Sequence, residues 1–188
     1  MQPYMIKVSA LVQLKAFARQ DGLILAVAWL ASFVLIMLSP QTPYGNLLAI
    51  ATPFIVGWRL TKFRDNALDG VVSFRRAFAY SCYTFFYASL VFAMGQYIYF
   101  RFIDNGQMSN ILTATMKELA PIYREQGIPA KELDFTMTQI AALKPIELAI
   151  VFMMQNLTVG LFLSLPIAMM MKRRKAGNGQ QGMPPTNT

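Results

Sequence analysis

The chain has 188 residues, of which 55% are hydrophobic and 14% charged, where a soluble domain carries about 25% charged residues. Its formal net charge is +8, yet the basic residues stand in short clusters beside apolar runs. That is the pattern of a membrane protein and not of a nucleic-acid footprint, so no nucleic acid is expected as a partner. Histidine is absent and Cys82 is the single cysteine, which excludes Ser-His-Asp and Cys-His catalysis, His-ligated haem, the usual zinc sites and an intrachain disulfide.

In chain order, Met5 to Ala18 places Met5, Val8, Leu11, Val12 and Phe17 among Lys7 and Lys15. This predicts either a basic amphipathic helix on the membrane surface or a lead-in turn to the first span. The first apolar run is Gly22–Leu38, GLILAVAWLASFVLIML, ending at Ser39-Pro40. As helix it rises about 25 Å, close to the roughly 30 Å hydrocarbon core. The long segment before it and the absence of an A-x-A site favour a retained anchor over a signal peptide. A second run covers about Tyr44–Leu60, with Tyr44 and Trp58 as interfacial anchors and Pro53 in its middle.

The third run, Ala77–Phe102, is rich in Phe and Tyr, and the fourth covers Pro145–Met171, stopping at Lys172-Arg173-Arg174-Lys175. Between them residues 104–144 are too long for a structureless loop. Met108, Ile111, Leu112, Met116, Leu119, Ile122 and Tyr123 recur at helical spacing, Gly127-Ile128-Pro129 breaks the pattern, and Ala130–Leu143 suits a second short helix. Two such helices are expected to fold onto the bundle or its interface, as a cap, a ligand lid or a partner-docking surface. Residues 176–188, AGNGQQGMPPTNT, lack an apolar face and read as a disordered cytoplasmic tail.

Charge placement orients the spans. Lys7, Lys15 and Arg19 precede the first, while Arg59, Lys62, Arg64, Arg75 and Arg76 lie between the second and third. With the four basic residues after the fourth, twelve of the seventeen Lys and Arg fall on one side, opposed only by Asp21, Asp65 and Asp69. The positive-inside rule makes that side the cytoplasm, with both termini there. The inner basic loop is also expected to attract anionic lipid headgroups. Asp69-Gly70 predicts a turn, and Ser73 a cap for the next helix.

Several residues inside the spans are candidates for packing or chemistry. Asn156, Gly160, Ser164 and Ala168 recur every four residues and share one face of span four. Small residues there admit a close helix neighbour, within the bundle or at a dimer seam, and Asn156 can hydrogen-bond across the contact. Glu147, one turn into span four, suits a helix start; its rival role is a proton or cation site. Gln96 and Gly95 lie along span three beyond Tyr80, Thr84 and Tyr87, whose spacing suits bundle packing. Pro53 and Gly57 admit a broken helix of the transporter kind, for which Pro166 would have to supply the second break. Asp65 and Asp69 form the one cytoplasmic carboxylate pair near the interface, set among Arg and Lys that favour hydrated salt bridges.

FRDNALDGVVSFRRAFAYS, continuing through YASLVFAMGQYIYFRFID, resembles the central signature of domain-of-unknown-function family 4199. Arg64, Gly70, Ser73, Phe74, Ala77 and Phe78 match the pattern, and PIELAIVFMMQNLTVGLFLSLPIA is similar to the family's later segment. The resemblance covers about residues 10 to 175. It implies a small four-span protein of the inner membrane of Bacteroidetes-type bacteria, and it implies no activity and no catalytic residues.

The expectation is therefore an all-α protein: an integral membrane four-helix bundle with an extracytoplasmic amphipathic helical hairpin between spans three and four. Residues 1–175 form a single membrane domain, without catalytic, cofactor or metal sites. The expected role is non-enzymatic, as a scaffold, accessory subunit or envelope interaction protein, with a second copy or another membrane protein as partner. A small oligomeric transporter or channel using Glu147, Asn156 and Gln96 is the alternative, and a membrane enzyme of lipid or envelope metabolism the third.

Overall fold

The computed structural model describes residues 3–40 and 42–173. The tail read as disordered, together with Arg174 and Lys175, lies outside the described residues. Seven helices occur among those described: α1 (Pro3–Leu38), α2 (Tyr44–Ile50), α3 (Thr52–Ala67), α4 (Phe74–Phe102), α5 (Gln107–Glu125), α6 (Ala130–Ala141) and α7 (Pro145–Met171). Among the described residues the protein is all-helical, as the apolar runs and their spacing predict.

Among the described residues three segments are long and apolar enough to cross a membrane: Ala10–Leu38, Phe74–Phe102 and Pro145–Met171. The N-terminal amphipathic stretch is neither a separate surface helix nor a turn. It continues without interruption into the first apolar run, and its Leu14 and Ala18 are buried in the core. The run expected at Tyr44–Leu60 is divided at Ala51 into α2 and α3, neither of which alone is long enough to span a bilayer.

Pro53 is the physical reason for that division. It has no N–H to donate to the carbonyl four residues earlier, on Ala49. The Thr52 hydroxyl takes over this role, donating to the Ala49 carbonyl at 2.6 Å, and the Trp29 indole N–H from α1 donates to Thr52 Oγ1 at 2.9 Å. The break is thus hydrogen-bonded, and tied to α1.

α4 is the centre of the bundle, packed against α1 on one side and α7 on the other. α2 and α3 run antiparallel along α1, a course marked by a ladder of contacts. Ser32 Oγ donates to the Gly45 carbonyl at 2.7 Å, Trp29 meets Thr52, Arg59 meets Asp21, and the Phe17 and Phe63 rings are 5.1 Å apart. At one end the Val72 and Arg173 backbones exchange two hydrogen bonds of 3.0 Å, joining the α3–α4 loop to the end of α7.

The turns follow local chemistry. Asp69 (φ 52°) and Gly70 (φ 77°) reverse the chain after α3, and Ser73 caps α4 by accepting from the Arg76 N–H. Asp104 accepts from the Met108 N–H at 3.1 Å, holding the start of α5. Gly127 (φ 81°) ends that helix. α5 and α6 pack on each other around Leu112, Met116, Leu133 and Met137. Met108, Ile111 and Leu112 join α5 to a cluster at the bundle end with Phe33, Met37 and Phe100, where Gln107 Nε2 also donates to the Met37 carbonyl.

Candidate functional site

The small-residue face of α7 is spent inside the chain. Gly160, Ser164 and Ala168 are buried, and a Cβ on Gly160 would stand 2.5 Å from the Phe85 ring of α4. Ser164 Oγ donates back to the Gly160 carbonyl at 2.7 Å, which leaves the face apolar toward α4. Of the two settings the sequence leaves open, the contact within the bundle is the one observed. Elsewhere α7 exposes Ile150, Met154, Leu161, Phe162, Met169 and Met170, the kind of surface a lipid tail covers.

Two polar centres lie within the bundle. The first joins three helices. Asp21 of α1 is 2% exposed and accepts from Arg59 of α3, whose Nε lies 2.5 Å from Oδ1. The Tyr80 hydroxyl of α4 donates to the other carboxylate oxygen. Tyr80 is itself fully buried, with its ring stacked on Phe63 at 4.8 Å. Each carboxylate oxygen therefore has a donor, which is what makes a desolvated charge tolerable. This centre is closed and fully paired, and it pins α1, α3 and α4 at one depth.

The second centre is open. A cavity of about 530 Å³ lies beside the Pro53 break, walled by α1, α2, α3, α4 and α7. Its walls are mainly aromatic and aliphatic, among them Trp29, Phe33, Phe92 and Phe152. Its polar groups are Ser32, Thr52, Gln96, Gln155 and Asn156, and among the described residues no charged one lines it. Gln96 is 3% exposed, and among the described residues its Oε1 has no hydrogen-bond partner. A buried carbonyl left so is uncommon and calls for an explanation.

Of the residues singled out in the sequence, Gln96 and Asn156 meet at this cavity and Gly160 forms part of its wall. Glu147 is elsewhere. It is exposed and accepts the Lys144 N–H at 2.8 Å, closing the first turn of α7. Asp65 is engaged by Arg64, whose Nε donates to it at 2.7 Å and holds its carboxyl below the usual range. Asp69 serves the turn after α3. Tyr80 and Thr84 are buried packing residues with hydrogen-bonded hydroxyls, and Tyr87 is half-buried. Cys82 is half-buried on α4. No group of three or more metal-ligating side chains occurs among the described residues.

The Asp21–Arg59–Tyr80 centre escapes a reading of local pattern, because its members come from three helices far apart in the chain. Asp21 was legible only as a charge opposing the basic side. Its position on the helix face that also carries Leu14, Ala18 and Leu25 was the available signal, since a lone acid there must find a partner.

The family described as "Protein of unknown function (DUF4199)" matches residues 20–173. The chain belongs to this family. The matched region starts one residue before Asp21 and ends at Arg173, so it takes in both polar centres and the Val72–Arg173 bridge. No curated protein and no solved structure matches the chain. For this DUF4199 chain the function must therefore be argued from its own residues.

Proposed function

We propose that this is a four-span protein of the bacterial inner membrane, with both termini cytoplasmic, whose role is non-enzymatic. It is read as a scaffold or accessory subunit that presents the α5–α6 pair outside the membrane to an envelope or membrane protein partner.

The observation that carries the fourth crossing is the contact ladder between α1 and the α2–α3 pair. From the Phe17–Phe63 contact to the Ser32–Gly45 bond, the pair follows α1 over roughly 22 Å of helix rise. Two short helices joined by a hydrogen-bonded break can together reach across a hydrocarbon core that neither spans alone. The basic clusters then gather at the end where the α3–α4 loop meets α7, which favours that end as cytoplasmic.

The α5–α6 pair supports the interaction role. It reaches the bundle through the first turns of α5, and Ile122 and Phe135 are 50% and 65% exposed on it. Isolated exposed apolar residues are ordinary, but on a paired arm beyond the membrane they are a natural contact surface. The α7 small-residue face drops out as a partner surface, since α4 covers it. The test is cross-linking in membranes from Phe135→Cys in a Cys82→Ser background. Capture of a discrete second protein or copy supports the role, and no capture from Phe135→Cys or Ile122→Cys removes it.

A transporter or channel is the second reading, favoured by the cavity that brings Gln96 and Asn156 together. Glu147 does not join them, so the continuous path of three polar residues is not assembled. Under this reading Gln96→Leu and Asn156→Leu change solute flux in proteoliposomes, and under the scaffold reading they leave it unchanged.

A further inference from the structure

We infer that the cavity between α1, α2, α3, α4 and α7 is a side-opening binding site for a neutral, membrane-soluble molecule that donates a hydrogen bond from a hydroxyl group to Gln96 Oε1. The inference goes beyond the interaction role and rests on the reading that the bundle lies in a bilayer.

Three observations select that class of ligand. First, the receiving atom is defined. Gln96 is 3% exposed on a wall of the cavity, and its carbonyl oxygen, covered in this conformation, is without a partner among the described residues, so a ligand reaches it when the amide turns toward the cavity. The neighbouring polar groups are already committed in part. Thr52 accepts from Trp29 and donates to Ala49, and Ser32 donates to Gly45. A ligand that offers a donor removes the penalty of the unpaired acceptor, whereas one that offers only acceptors does not.

Second, among the described residues the lining contains no Asp, Glu, Lys or Arg, so nothing in it compensates a charged ligand. Desolvating an ion against aromatic and aliphatic walls is prohibitive, which restricts the occupant to a neutral molecule. The volume of about 530 Å³ is in the range of small-molecule pockets.

Third, the mouth is at the side. The lining residues that reach the surface include Ala49 and Ile50 on α2 and Gln155 and Val159 on α7. α2 packs on α1 and α3, and α7 packs on α4 and α3, so the lips of the opening are two helices that do not close on each other. Their exposed residues are mostly apolar. In a bilayer such an opening faces lipid, and the occupant arrives through the membrane and not through water.

Trp29 stands on the cavity wall, 5.6 Å from Phe92, and reports occupancy directly. The chain has two tryptophans, so Trp58→Phe leaves Trp29 as the single emitter. This protein is reconstituted in lipid nanodiscs and titrated with a long-chain alcohol brominated on the carbon next to the carbinol. The methyl ether of that alcohol and bromoethanol, a short water-soluble analogue, are titrated in parallel.

Saturable quenching by the long-chain alcohol is expected, with the ether and bromoethanol needing at least fivefold higher concentration. Gln96→Leu should raise the half-saturating concentration of the alcohol about fivefold, the loss of one neutral hydrogen bond. Equal quenching by alcohol and ether, or an unchanged titration in Gln96→Leu, overturns the donor assignment. Equal saturable quenching by bromoethanol overturns the membrane-soluble class. If Gln96→Leu does not fold, the alcohol-against-ether comparison on the parent decides alone. These titrations take the nanodisc-embedded protein as given, so their failure leaves the crossing topology to be judged separately.

Discussion

Arg59 and Asp21, separated by 38 residues in the chain, form an ion pair between α3 and α1 in which the carboxylate is 2% exposed. Tyr80 completes the arrangement from α4. A buried charge with one partner removed is far more damaging than the pair is stabilising. Asp21→Asn is therefore expected to lower stability by about 3–5 kcal/mol, read as the midpoint of unfolding in detergent. The combination Asp21→Leu, Arg59→Met and Tyr80→Phe, which removes all three polar groups together, should recover most of that loss. If Asp21→Asn melts like the parent, the centre does not hold the three helices together.

Thr52 repairs the gap that Pro53 leaves at Ala49. Thr52→Val strips the donor from that carbonyl and the acceptor from Trp29, an expected loss of about 1–3 kcal/mol. Pro53→Ala restores the backbone donor, so Thr52→Val should be milder in that background than in the parent. A double-mutant cycle on thermal midpoints measures the difference, and strict additivity would refute the repair.

Gly22 and Gly95 both face a neighbouring helix, with opposite expected consequences. A Cβ on Gly22 would meet the Thr84 carbonyl oxygen at 2.9 Å and Tyr87 Cβ at 2.8 Å, the latter next to the α4 backbone. Only movement of α1 away from α4 relieves that, and Gly22→Ala should cost about 1–3 kcal/mol. At Gly95 the neighbour is the far end of the Leu30 side chain, which can turn aside. Gly95→Ala should be neutral or stabilising, because alanine favours helix over glycine by about 1 kcal/mol. Equal melting of the two variants would contradict the close α1–α4 approach.

Ser164 is fully buried on the face of α7 that α4 covers, so a cysteine of nearly the same size placed there in a Cys82→Ser background should not form a disulfide between two copies. Under oxidising conditions in membranes the chain is expected to remain monomeric on a non-reducing gel. Efficient dimer formation from Ser164→Cys would mean that α4 does not cover this face.

Much of the fold was legible because the relevant forces are local or periodic. Apolar runs gave the later part of α1, α4 and α7, and apolar residues at helical spacing placed α5 and α6 within a few residues of the observed Gln107–Glu125 and Ala130–Ala141. The four-residue spacing of Gly160, Ser164 and Ala168 marked a packed face. Pro53 marked a weak point in its helix, but the α2–α3 division also needs Trp29 and Thr52 to stabilise it, and that contact joins residues 23 apart. The Asp21 centre was hidden for the same reason. A charge count treats Asp21 and Arg59 as independent members of one basic side, whereas their pairing exists only once α1 and α3 lie together. Gln96 and Asn156 were visible as polar residues within spans, but the cavity between them arises from α2 and α7 leaving a gap.

The crossing of the membrane by α2 and α3 together is tested most directly at Asn66, an exposed residue near the end of α3. In a Cys82→Ser background, Asn66→Cys and Ser109→Cys on α5 are exposed to a membrane-impermeant maleimide on cells whose inner membrane is intact. The four-span account predicts that Ser109→Cys is labelled at once and Asn66→Cys only after the inner membrane is opened. Labelling of Asn66→Cys from outside, with Ser109→Cys protected, would show that α2 and α3 return to the side they left and that the chain crosses three times.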